Sequence, residues 1–194
     1  MMKQALIALR VAVVTLILTG LFYPFVVTAL ARTLFSHQAT GSLVKDESDR
    51  IVGSELIGQN FSQPAYFQPR PSAAGTGYDA LASGGSNLGT TSLKLRDRMT
   101  EDTARLIEQN PQASEPVPAE LVMASGSGLD PHLSPEATLW QVPRVAEARK
   151  IAPERVRLVV ESKIEGRDLG LLGEPRVNVL ELNLALDSQF GSPY

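Results

Sequence analysis

Ser86 and Ser127 each sit in a glycine-rich run, Ser83-Gly84-Gly85-Ser86-Asn87 and Ser125-Gly126-Ser127-Gly128. An exposed hydroxyl there could act as a nucleophile, or the backbone amides could cradle an anion. Neither run completes the G-x-S-x-G elbow: the pattern fails at Leu88 around Ser86, and at Ser125 and Leu129 around Ser127. Tight turns that need positive φ explain such runs more economically than ligand binding does. No Gly-Lys dipeptide occurs, so the phosphate-binding P-loop is absent from the sequence.

Imidazole chemistry is confined to His37 and His132. Asp130, His132 and Glu136 are close enough in sequence to suggest a metal site, but Pro131, Ser134 and Pro135 already account for the stretch as a turn and a helix start. The chain has no cysteine, hence no disulfide framework, thiolate metal site or thiol nucleophile. Asn60-Phe61-Ser62 fits a glycosylation acceptor, a three-residue pattern too common by chance to carry weight. From the residues alone, no catalytic, metal or cofactor site is assigned.

The elements that position these residues begin with a membrane segment. Val11 to Ala31 is 21 residues without a charge, bracketed by Arg10 and Arg32, enough to cross a hydrocarbon core of about 30 Å as a helix. A cleavable signal peptide competes, with Ala29-Leu30-Ala31 as its cleavage site, but the apolar run exceeds the roughly 7–15 residues of a signal core. Lys3 and Arg10 outweigh Arg32, which places the N-terminus inside and the remaining chain outside. Tyr23-Pro24-Phe25 interrupts the run: Pro24 removes a backbone donor, and a freed carbonyl with Thr19, Tyr23 and Thr28 could face a partner helix. The alternative is a tolerated kink.

Beyond position 34 lie all 21 acidic residues and 15 of the 18 basic ones, a balance of −6 that argues against a nucleic-acid binder. The expected division is residues 1–34, carrying the membrane helix over about 11–31, and residues 35–194 as one soluble domain. Leu43-Val44 and Ile51-Val52 suggest a small hairpin. Residues 58–91 read as a long loop, ordered by Phe61, Tyr66, Phe67 and Tyr78.

Ser92 caps a predicted helix to about Gln109, with Leu95, Met99, Leu106 and Ile107 inward and Lys94, Arg98 and Glu101 outward. Leu121-Val122-Met123 is a candidate buried strand. Ser134-Pro135-Glu136 opens a helix that Pro143 breaks or restarts. Ala152-Pro153-Glu154 opens another, with a strand reading of Val156, Leu158 and Val160 left open. From Val177, Leu180, Leu182, Leu184 and Leu186 alternate with Glu181, Asn183 and Ala185, the period of a half-buried strand. The fold class expected is α+β: one N-terminal transmembrane helix, then a small extracytoplasmic domain with a small sheet and about three helices.

Several segments in order resemble one family. They are Tyr23-Pro24 with Thr28; Gly53-Ser54 through Ile57-Gly58-Gln59 to Phe61; Tyr66-Phe67 with Arg70-Pro71-Ser72; and Ser83-Gly84-Gly85-Ser86-Asn87-Leu88-Gly89. Ser125 through Pro135, Gln141-Val142-Pro143-Arg144-Val145-Ala146, and Gly170 with Leu172-Gly173-Glu174-Pro175-Arg176-Val177-Asn178-Val179-Leu180 complete the set. The pattern is similar to that of the C subunit of the Kdp-type potassium-transporting P-type ATPase of bacterial inner membranes. Residues 110–118 and 189–194 carry none of it.

The resemblance implies an accessory, non-catalytic subunit beside a channel-like potassium-binding subunit and an ATP-hydrolysing P-type subunit, with room for a small single-span subunit. The Asp-Lys-Thr-Gly phosphorylation motif of P-type pumps is absent from the sequence, as suits that role. Two mechanisms are implied: assembly and stabilisation of the complex, or a catalytic chaperone raising the pump's ATP affinity through a transient ternary complex. ATP enters only through the complex, since no residue here is assigned to it. Arg70, Asn87, Asp130, Arg144, Glu174, Arg176 and Asn178, set in motif-like turns, are read as architectural or interface residues. Tyr23, Pro24, Thr28, Ser86 and Ser127 join them as motif positions. Two other classes remain: a membrane-tethered outer hydrolase using a Gly/Ser cluster, and a binding protein released by cleavage after Ala31.

Overall fold

A computed structural model describes residues 1–46 and 48–193, in two compact units, Met1–Ser54 and Glu55–Tyr194. In the first, helix α1 (Met2–Ile17) runs through a π turn (Leu18–Phe22) into α2 (Tyr23–Leu34), a 33-residue helical rod in which no residue is buried. At about 1.5 Å per residue the rod is roughly 50 Å long, more than the hydrocarbon core requires. The π turn answers Pro24, whose ring lacks an N–H and would collide with the carbonyl four residues back, that of Gly20. Widening the turn relieves the collision, and the Tyr23 amide bonds Leu18 O, five residues back. Thr15 and Thr19 return their hydroxyls to Val11 O and Thr15 O, each at 2.8 Å. A short helix α3 (Ser36–Ala39) follows. Strands β1 (Leu43–Lys45) and β2 (Ile51–Ser54) then form the expected antiparallel hairpin.

The second unit holds helices α4 (Leu93–Gln109), α5 (Pro135–Trp140), α6 (Val142–Arg149), α7 (Pro153–Ser162) and α8 (Val179–Phe190). A three-stranded antiparallel sheet has β5 (Arg176–Asn178) between β3 (His132–Leu133) and β4 (Ile164–Glu165). Architecture is α+β, but among the described residues this unit has five helices where about three were expected, and the chain has two small sheets. The core is one cluster in which Phe67, Leu133, Val145, Val156, Val160, Val177, Leu182 and Leu186 are essentially sealed from solvent.

Local signals explain most starts and stops. Ser92 accepts the Leu95 N–H and Ser134 the Ala137 N–H, each capping a helix. Pro143 restarts the chain as α6 in its first turn, and Lys150, at φ 57°, closes that helix in the left-handed region. Residues 153–162 are helical, which settles the helix–strand alternative there.

Three expectations are corrected. The leucine alternation after Val177 belongs to α8, not to a strand: only Arg176–Asn178 is extended, and Val179, Leu180, Leu182, Asn183 and Leu186 are buried at helical spacing. Leu121-Val122-Met123 is no strand but the end of a 3₁₀ turn (Ala119–Leu121), with Leu121 and Val122 buried and Met123 exposed. On α4, Arg98 is half-buried rather than outward and Ile107 is exposed rather than inward; Leu106 is the residue fully in the core.

Candidate functional site

The two Gly/Ser clusters, separated by about forty residues in sequence, lie against each other. The Gly84 N–H donates to Ser127 O at 2.8 Å, and the Ser83 hydroxyl donates to the same carbonyl at 3.0 Å. A Cβ on Gly85 would stand 2.9 Å from Gly126 O, and one on Gly128 2.6 Å from both Gly84 O and Ala74 N, with φ +67° besides. Glycine is therefore required at both positions by backbone packed on backbone. Amides of Gly84, Gly128 and Leu129 are spent on Ser127 O, Ser125 O and the Ser127 hydroxyl, so they are not offered to an anion. Ser86 is half-buried, and Asn87 is exposed in the left-handed region at φ 49°.

Around this junction a polar knot ties the long loop down. Ser72 Oγ donates to Gly128 O at 2.6 Å and accepts the N–H groups of Ala74 and Tyr78. The Tyr78 hydroxyl donates to Arg70 O at 2.6 Å, and burial pushes its pKa up to about 12. Arg70 in turn reaches Asp130 at 3.1 Å and Met123 O. Asp130 also accepts the His132 N–H at 3.0 Å, as an Asx turn. Its carboxyl is held below the ordinary range by the His132 side chain, 3.7 Å away, then by the His132 N–H and the Arg70 charge, against partial burial. Its two oxygens thus serve the turn and the ion pair.

Deeper in, side-chain amides replace a neighbouring strand. Asn183, buried on α8, accepts the Phe67 N–H at 2.9 Å and donates to Phe67 O at 3.0 Å. Gln141, buried between α5 and α6, does the same for Gln68 at 2.9 and 3.0 Å. Arg144, 5% exposed, donates to Pro64 O, Tyr66 O and Gln141 Oε1. Burial, with the Arg105 charge second, pulls its guanidinium down to about 10, still a cation at neutral pH. Arg149, nearly sealed, closes the cluster by bonding Ala65 O, pairing with Asp187 at 2.7 Å and stacking on Tyr66, whose hydroxyl also reaches Asp187.

The remaining candidates lie elsewhere. Asn178 caps α8 through the Glu181 N–H and donates to Glu55 O at 2.8 Å. Glu174 pairs with Arg167, and Arg176 with Glu165 and Asp168, on the β4–β5 turn. Tyr23, Pro24 and Thr28 are exposed on the membrane-length rod. The structure thus brings Arg70, Asp130, Ser127 and the Ser83–Asn87 run into one junction, gathers Arg144 under the same loop, and leaves Glu174 and Arg176 on a separate turn.

Sequence reasoning missed Gln141, Asn183, Arg149, Asp187 and Ser72. Two signals were readable. Asn178-Val179-Leu180-Glu181 has the spacing of an N-cap with Glu three residues on. A lone Asn183 inside a leucine-rich helix face implies a buried partner. A cleft of about 300 Å³ opens beside the loop, lined by Phe61, Tyr78, Arg105 and Gln141, but Arg105 is paired to Asp102 at 2.9 Å. Every charged group described at the junction is likewise partnered, so the arrangement is built to hold a loop in shape.

The family model KdpC, K+-transporting ATPase, c chain, matches residues 5–188. This chain belongs to that family. The match stops short of the tail that carries none of the motif pattern. A Myxococcus xanthus protein named potassium-transporting ATPase KdpC subunit is 61% identical over 191 residues, covering 98% of this chain and 90% of its own. Proteins of the same name from Methylobacterium nodulans and Rhodopseudomonas palustris are 52% identical over 187 residues and 51% over 201. They cover 90% and 97% of this chain, and 92% and 98% of their own. KdpC is also the family that the sequence motifs resemble.

Proposed function

We propose that this chain is a non-catalytic accessory subunit of an ATP-driven potassium uptake complex in a bacterial inner membrane. It assembles and stabilises a channel-like potassium-binding subunit and an ATP-hydrolysing P-type subunit. The observation that carries the reading is the 33-residue rod with an apolar surface, of which no residue is buried among the described residues, in a member of a potassium-transporting ATPase family. Such a surface is stable only in lipid or against other helices. The balance of Lys3 and Arg10 against Arg32 supports a cytoplasmic N-terminus, with the second unit on the outer face, seated on the potassium-entry subunit.

On this reading the glycine-rich junction holds a recognition surface in shape and performs no chemistry. The test compares membranes that express the complex with and without this chain, measuring assembled complex and its KM for ATP. Loss of assembled complex with an unchanged KM in the remainder is the expected result. Full assembly with a much raised KM would transfer the role to ATP affinity instead.

A further inference from the structure

The turn between β4 and β5 stands out from the rest of the second unit. Every residue from Gly166 to Pro175 is exposed, yet three are leucines: Leu169 at 91%, Leu171 at 83% and Leu172 at 61% of full exposure. A floppy tip would leave its backbone unpaired, and this one does not. Asp168 and Leu172 exchange both amide bonds at 2.8 and 2.9 Å, Gly170 N–H donates to Arg167 O, and Leu171 N–H to Asp168 O. Leu169 is held at φ 53°, a region a leucine seldom adopts. The backbone thus accepts strain while three apolar side chains face water, a combination associated with recognition sites.

Charges around the tip say what it fits. Arg167 pairs with Glu174 at 2.7 Å, and Arg176 with Glu165 at 2.9 Å and Asp168 at 3.4 Å. These five groups sum to −1 and each has its partner, and as exposed pairs flanking the leucines they can stay in water as a rim while the apolar centre is covered. An anionic lipid surface would instead be met by surplus Lys or Arg. Apolar centre and self-neutralised polar rim are the anatomy of a protein–protein contact.

We infer that Gly166–Pro175 is a preformed docking finger whose leucines enter an apolar, uncharged hollow on another subunit of the ATPase. This rests on the assembly reading above and adds the place of contact.

The full chain, in its complex, supplies the test. Because the sequence has no cysteine, Leu171→Cys offers one site on this chain for a benzophenone crosslinker, attached before assembly. An adduct with another subunit is expected. Adducts only with lipid, only with a second copy of this chain, or with nothing would overturn the proposal. In parallel, L169S/L171S/L172S should lower complex retained after dilution by roughly tenfold or more, as loss of a central apolar anchor does. Its thermal midpoint should stay at the wild-type value, since no leucine here supports the core. L171M should retain binding. If the triple variant assembles normally while deletion of the whole chain abolishes the complex, the finger is refuted and the assembly reading survives.

Discussion

Asn183 shows what a single side chain does in this molecule. Phe67 is fully buried, and its N–H and C=O find their partners in one carboxamide. Replacing Asn183 by Leu keeps the branching at Cγ, adds bulk at a sealed site and leaves two buried backbone groups unpaired, a loss of at least about 2–4 kcal/mol that a urea unfolding midpoint would register. An unchanged midpoint would mean that the loop re-forms its bonds elsewhere. The sequence hid this residue because the leucine alternation assigned Asn183 to a solvent face. Capping by Asn178 through the Glu181 N–H turns the chain into a helix at that point, and a helix repeats its inward face every three to four residues. Asp130 is a residue-scale case with a pH signature. Its folded pKa lies below the unfolded value of about 3.9, so its stabilisation is complete above that value and fades as pH falls through the folded one. The stability gap between wild type and D130N, about 1 kcal/mol at pH 7 for such a partly exposed pair, should shrink and close in acid as pH falls through the lowered folded pKa. A gap that persists in acid would mean the carboxyl acts through shape and not charge.

At the scale of elements, local grammar carried far. Ser92, Ser134, Pro135, Pro143 and Pro153 mark real helix starts, and the Leu43–Ser54 hairpin forms where two short apolar pairs flank a polar turn. What stayed illegible was long-range: that two glycine-rich runs stack, and that Gln141 and Asn183 stand in for strands, depends on pairings 73 and 116 residues apart. No local pattern encodes those. The π turn ahead of Pro24 is an intermediate case, since the proline announces a disturbance without naming its form. A π turn inserts about one extra residue, which rotates the helix after it by roughly 100° relative to the helix before it. P24L should let the turn relax to a regular α-helix and swing the two apolar faces out of register. The expected outcome is wild-type membrane insertion with several-fold less complex recovered on co-purification. Equal recovery would show that partner helices contact only one half of the rod.

At the scale of the whole molecule, the described residues include an apolar rod of which none is buried and a unit with its own core, and the two obey different solvents. The rod can be satisfied only in lipid or by other helices, whereas the second unit has one sealed cluster of side chains and an acidic balance suited to water. Such a division makes topology the deciding property, because it determines which face of a membrane the recognition surfaces occupy. Leu81, 98% exposed on the long loop, is a suitable reporter in a chain without cysteine. A Leu81→Cys chain in intact, outer-membrane-permeabilised cells should react with a membrane-impermeant maleimide as fast as it does after lysis. A cysteine placed at Gln4 should react only after lysis. The mass of the labelled protein should remain near 20.9 kDa. Loss of roughly 3 kDa would reveal cleavage near Ala31 and a released protein, leaving the rod no part in assembly. Protection of Leu81→Cys until lysis would put the second unit on the cytoplasmic side, within reach of ATP, and would favour the nucleotide-affinity mechanism over the one argued above.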